Sequence, residues 1–149
     1  MDGFEIDPMY SITKRLGPYP FAHRQPKHEG HCKLIHGHNW YFEVTLTSHN
    51  LDENGFVYDF GKFKPFKAVM ENLFDHTLVL CHDDPELDFF RSREDLFDLT
   101  IVPSASCEGL AERVWNLLST YLNDSDLTNE VIFSRVRCFE DEKNTAIYE

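Results

Sequence analysis

The chain has 149 residues, with 26 Asp and Glu against 14 Lys and Arg, and a formal net charge of −12 with His neutral. A single domain of this length buries a sizeable core, and 42% apolar residues with 13 Phe argue against a disordered acidic tail. The charge argues against a general nucleic-acid binder and an anionic membrane surface, which both need surplus Lys and Arg. A small anionic substrate stays open, because a site needs only a local positive patch. No run of about 18 apolar residues offers a membrane span. The start, MDGFEIDPMY, lacks the basic region and apolar run of a secretory leader. The four Cys (32, 81, 107 and 138) form no CxxC pair, so reduced thiols in a cytoplasm are expected.

Residues 9–16 read as a strand, broken at Gly17-Pro18-Tyr19-Pro20 and resumed in extended form through Phe21-Ala22-His23-Arg24. A loop rich in Lys, His and Gly follows over 25–35. Residues 36–46 are the clearest strand, because His36, His38, Trp40, Phe42, Val44 and Leu46 alternate onto one face. The turn 49–55 and the apolar triplet 56–58 suggest a hairpin over 36–58. Asp59 is placed to cap a helix over 60–74, with Phe63, Phe66, Met70 and Leu73 on one side and Pro65 in its first turns. Residues 83–98 carry seven Asp and Glu and two Arg and read as a surface excursion, ahead of a short strand at 99–102. Ser106 is placed to cap a second helix over 107–122, striped by Leu110, Val114, Leu117 and Tyr121, with Glu108 in its first turn. Strands over 131–139 and 145–148 close the chain. Helices interspersed with hairpins predict one α+β domain over 1–149 with a largely antiparallel sheet and an acidic insertion around 83–103.

Five of the eight His (23, 28, 31, 36 and 38) fall within sixteen residues. His36 and His38 project from the same strand face, and neutral imidazole is a good zinc ligand. His23, on the preceding strand end, is the natural third ligand. His28, His31 and the Cys32 thiolate are its rivals. The spacing Gly30-x5-His36-x-His38-x4-Glu43 is similar to half of a cupin metal signature, but Glu43 falls on the opposite strand face and no second half follows. Cys32, four residues before His36, is a candidate base or nucleophile. Asp75 beside His76 suits acid/base relay. Glu140 continues a stripe of Ile132, Ser134, Val136 and Cys138, where a carboxylate needs a partner or ligand. Residues 14–33 hold Lys14, Arg15, Arg24, Lys27 and Lys33 against Glu29, a local +4 suited to a polyphosphate.

These residues together resemble the 6-pyruvoyl-tetrahydropterin synthase / 6-carboxy-tetrahydropterin synthase family. The resemblance is carried by Ile12-Thr13-Lys14-Arg15, Phe21-Ala22-His23-Arg24, Gly30-His31-Cys32 through His36-Gly37-His38, Gly55 through Phe60, Asp75-His76, Glu108-Gly109-Leu110-Ala111 and Val136 through Glu140. It implies zinc on His23, His36 and His38, a catalytic thiol at Cys32, acid/base work by Asp75 and His76, and a pterin held by Glu140 with Glu108 nearby. It also implies the T-fold, a four-stranded antiparallel sheet with two helices on one face. Three such subunits close a barrel, and two trimers stack into a homohexamer with sites at subunit interfaces. The implied substrate is 7,8-dihydroneopterin triphosphate; Arg24 and Lys27 are candidates for its phosphates by their proximity in sequence to the His cluster. The spacing Cys32-x3-His36-Gly37-His38 is similar to the queuosine-pathway branch, which releases acetaldehyde. Ser104-Ala105-Ser106-Cys107-Glu108 replaces the family's usual Pro-Thr-x-Glu, and the stretch from His76 to Glu108 is longer than in compact members.

Overall fold

The computed structural model describes residues 8–125 and 130–149; residues 1–7, part of the segment read above for a leader, lie outside it. Six strands form one sheet: β1 (Tyr10–His23), β2 (His36–Ser48), β3 (Thr77–Cys81), β4 (Leu99–Val102), β5 (Ile132–Phe139) and β6 (Thr145–Tyr148). Their spatial order is β4-β3-β1-β2-β5-β6. The pairs β1–β2, β2–β5 and β5–β6 are antiparallel, whereas β1–β3 and β3–β4 are parallel. The sheet is therefore six-stranded and mixed, not the expected four-stranded antiparallel one, because β3 and β4 add to it in parallel beside β1. Among the described residues, no helix is long and apolar enough to cross a membrane.

Strand β2 buries Trp40, Phe42, Val44 and Leu46, as its alternation predicts. Against this face pack α1 (Lys64–Phe74), through Phe66, Met70 and Phe74, and α3 (Cys107–Asn123), through Leu110, Ala111, Val114, Leu118 and Leu122. The buried stripe of α3 thus drifts from the predicted Leu117 and Tyr121, which flank the core, onto Leu118 and Leu122. Asp59 caps a 3₁₀ turn, Phe60–Phe63, that leads into α1; its carboxylate accepts from the Gly61 amide at 2.8 Å. Residues 56–58 form no strand, and β2 pairs with β1 and β5 instead.

Gly17-Pro18 does not break β1. It is a bulge, with three steps of β1 from Leu16 to Tyr19 opposite two of β2 from Phe42 to Trp40. The bulge changes which side chains face the core, from Leu16 to Tyr19, Phe21 and His23. Gly17 has φ +111, and a Cβ there would sit 2.7 Å from the Trp40 carbonyl oxygen. Gly17→Ala should therefore lower stability by about 1–3 kcal/mol, read as a fall in urea midpoint. An unchanged midpoint would show that the bulge relaxes freely.

The acidic stretch is more than a surface excursion. It carries α2 (Leu87–Arg91), the crossover that brings β4 parallel to β3. Phe90 of α2 packs on Leu78 and Leu80, so β3 is covered on both faces and all five of its residues are buried.

Candidate metal centre and active site

The bulge in β1 is what brings the imidazoles together. His23 lies directly across from His36 in the β1–β2 ladder, and His38 follows on the same face. The ring centroids lie 4.5 Å apart for His23–His36, 5.1 Å for His36–His38 and 5.5 Å for His23–His38. Glu140, just past β5, places a carboxylate oxygen 3.4 Å from Nε2 of both His23 and His38. Among the described residues, these four side chains form a group whose ligand atoms all lie within 4.8 Å of one another. His28 and His31 stand outside it. Glu43 lies across the sheet, 3.4 Å from Arg15 and 3.9 Å from Arg137, so the cupin-like arrangement does not form.

The tautomers suit a cation. Nδ1 of His23 donates to the Ala105 carbonyl at 2.7 Å, and Nδ1 of His36 donates to the Leu34 carbonyl at 2.7 Å. A carbonyl only accepts, so each Nε2 keeps its lone pair. Nε2 of His23 and of His38 are buried without a hydrogen-bond partner. Burial lowers the His23 pKa to about 4; the Ala105 hydrogen bond opposes that shift, while His36 and His38 add to it. His23 is thus neutral at neutral pH, the form that ligates. Three imidazoles and a carboxylate, with orphaned buried nitrogens, fit a zinc ion.

A cavity of about 430 Å³ opens over this group, a size suited to a small organic ligand. His23, His36 and Glu140 line it together with Cys32 and Glu108. Cys32 is exposed and sits in a 3₁₀ turn, His31–Lys33. Glu108 comes from the first turn of α3, whose cap is Ser106; the Ser106 hydroxyl accepts from the Gly109 amide at 3.0 Å. A Cβ on Gly109 would meet Ser104 at 2.4–2.6 Å, so the Ser104-Ala105-Ser106 segment packs tightly under the helix start. That unusual segment therefore caps the helix and orients His23 through Ala105.

Other expected residues lie elsewhere. Asp75 and His76 are not in the cavity of their own chain. They join α1 to β3, where the exposed His76 has φ +59 and its Nδ1 is 3.0 Å from an Asp75 oxygen. Arg24 is not free for phosphate, because its guanidinium grips Asp84 through two bonds of 2.8 and 2.5 Å. That contact raises the Arg24 pKa and lowers that of Asp84. Lys27 is exposed and 3.3 Å from Asp83. The local +4 is thus partly balanced by the start of the acidic stretch. The reading of Glu140 by alternation also needs amendment: a bulge between β2 and β5 beside Thr45 leaves Ile132 exposed and turns Phe133 onto Trp115, while Val136 and Cys138 stay buried. Lys143, Gln25 and Cys107 line the cavity without having been anticipated. Only Lys143 carried a signal, a lone cation in the acidic run after Glu140.

Comparison with known proteins places the chain. The model of the family described as 6-pyruvoyl tetrahydropterin synthase matches residues 11–149. The chain belongs to this family. Within the 6-pyruvoyl tetrahydropterin synthase family it is similar to proteins named 6-carboxy-5,6,7,8-tetrahydropterin synthase. That of Rickettsia bellii is 30% identical over 138 residues, 88% of this chain and 98% of that protein. That of Aquifex aeolicus is 29% identical over 122 residues, 78% of this chain and 75% of that protein. The fold matches an uncharacterised protein of Wolinella succinogenes with a TM-score of 0.78 at 22% identity, covering 95% of this chain and 98% of the other. It also matches 6-pyruvoyl tetrahydropterin synthase of Plasmodium vivax with a TM-score of 0.70 at 19% identity, again over 95% and 98%.

Proposed function

We propose that this chain is a zinc-dependent carbon–carbon lyase that converts 7,8-dihydroneopterin triphosphate and water to 6-carboxy-5,6,7,8-tetrahydropterin, acetaldehyde and triphosphate, in queuosine biosynthesis. The observation that carries this reading is one cavity lined by two thiols, two carboxylates and two imidazoles, where Nε2 of His23 is buried without a hydrogen-bond partner. The names of the bacterial relatives support the carboxy product over the pyruvoyl one.

In this reading His23, His36 and His38 hold the zinc, which when bound supplies Lewis acidity toward the hydroxyls of the substrate side chain. Cys32, on the rim, takes a proton from that side chain as a thiolate. Glu140 and Glu108 accept hydrogen bonds from the 2-amino and N3 groups of the pterin, and charged acceptors strengthen such bonds. Lys143 is the cation on the cavity wall and offers the triphosphate a charge partner. His76 moves protons while Asp75 fixes its Nδ1–H. The pair lies away from its own cavity, so it serves the site of a neighbouring copy in a homohexamer of two trimers. The enzyme works in the cytoplasm.

The test is incubation of zinc-loaded protein with 7,8-dihydroneopterin triphosphate. Acetaldehyde and a 6-carboxy product are expected in equal amounts. A pyruvoyl product with triphosphate release would assign the phosphate-eliminating synthase instead. Pterin binding without turnover would leave a zinc- and pterin-binding protein.

A further inference from the structure

We propose that Arg24 and Asp84 are positioning residues, through which the start of the acidic insertion clamps the turn that carries Cys32. The proposal rests on the reading of Cys32 as the reacting thiol. The turn itself has little to hold it: none of its three residues is buried. Its ties run to the residues just after β1. The Gln25 amide donates to the Cys32 carbonyl at 2.7 Å, and the adjacent Arg24 donates from Nη1 to the Lys33 carbonyl at 3.4 Å. Arg24 and Gln25 therefore act as the jaw that grips the turn at the carbonyls of Cys32 and of the residue after it.

That jaw is fixed by Asp84. Its side chain is fully buried, and a buried carboxylate persists only when paired and hydrogen-bonded. It meets both needs: Arg24 engages its two oxygens with a fork, and the Glu86 amide donates to one of them at 2.9 Å. The Arg24 guanidinium also lies 5.9 Å from the centre of the Phe90 ring in α2. Lys27 and Asp83 add an outer, exposed tie. A two-point fork fixes direction as well as distance, which a lysine ammonium does not. The acidic insertion thus has a role at the cavity without contributing a residue to it. Misplacing a reacting group by about 1 Å can cost about a hundredfold in rate, which makes such a clamp consequential.

The test uses zinc-loaded Asp84→Asn and Arg24→Lys proteins with their full chains. In both, kcat should fall about tenfold or more, with KM within about twofold and zinc content unchanged. Amide hydrogen exchange over residues 25–34 should be at least about tenfold faster, with the β2 amides unaltered. Unchanged exchange in that segment, or unchanged kcat, would overturn the clamp. So would a parallel loss of zinc and turnover, which marks a purely structural role. A Cys32→Ala protein that keeps its turnover would overturn the reading of the thiol instead; exchange over 25–34 would still decide whether the pair holds the turn.

Discussion

Replacing Cys32 with alanine should lower turnover by roughly 10²–10⁴-fold, or about 3–5 kcal/mol of barrier, while leaving fold and metal content intact. The two halves of that expectation have separate grounds. The thiol is exposed on the cavity rim, so its removal opens no core cavity and stability should stay within about 0.5 kcal/mol. It also lies outside the group of side chains able to hold a metal, so zinc per chain should not move. In the proposed role of the thiol the loss falls on proton transfer alone, so kcat should drop while pterin affinity holds. Zinc assay, urea denaturation and single-turnover kinetics on one preparation separate these effects. Full turnover in this variant would remove Cys32 from the chemistry, and loss of zinc would make it a ligand.

Removal of His36 should have the opposite profile. His36→Ala removes one of the three imidazoles proposed to hold the ion, and zinc should fall from about one ion per chain to below about a tenth. Because a folded-state ligand stabilises by mass action, chelation of wild-type protein should cost about 4 kcal/mol when free zinc had stood a thousandfold above its Kd. The variant should show almost no response to the same chelator. Urea titrations with and without chelator, read beside metal analysis, provide the check. Wild-type protein that carries no zinc after careful preparation would refute the metal centre. Glu140→Ala provides the contrast, because it should weaken pterin binding more than it disturbs the metal. Its carboxylate lies 3.4 Å from the imidazoles of His23 and His38, so loss of zinc in that variant would make Glu140 a fourth ligand.

The alternation of β2 was legible because one of its faces is buried and the other is not, and the same rule placed His36 and His38 together. Strand β3 escaped notice for the converse reason. Covered on both faces, Thr77–Cys81 shows no period of two, only a short apolar run. Gly17-Pro18 reads as punctuation in a sequence, yet here it shifts register without ending the strand. That shift decides the face on which His23 stands, so a triad legible by residue type depended on geometry that the residue types do not state. The Arg24–Asp84 pair joins positions 60 apart, and no local pattern announces it. Asp75 and His76 were conspicuous as a dipeptide, but their distance from the cavity of the same chain follows only from where α1 ends.

The three imidazoles all belong to the hairpin of β1 and β2 and lie at or before residue 38, whereas Glu108, Glu140 and Lys143 reach the cavity from the last third of the chain. The two halves of the site are therefore separable in inheritance. A descendant can exchange the helix start at 106–108 or the turn at 141–144, and so reshape the cavity wall, while the hairpin and its three imidazoles pass through unchanged.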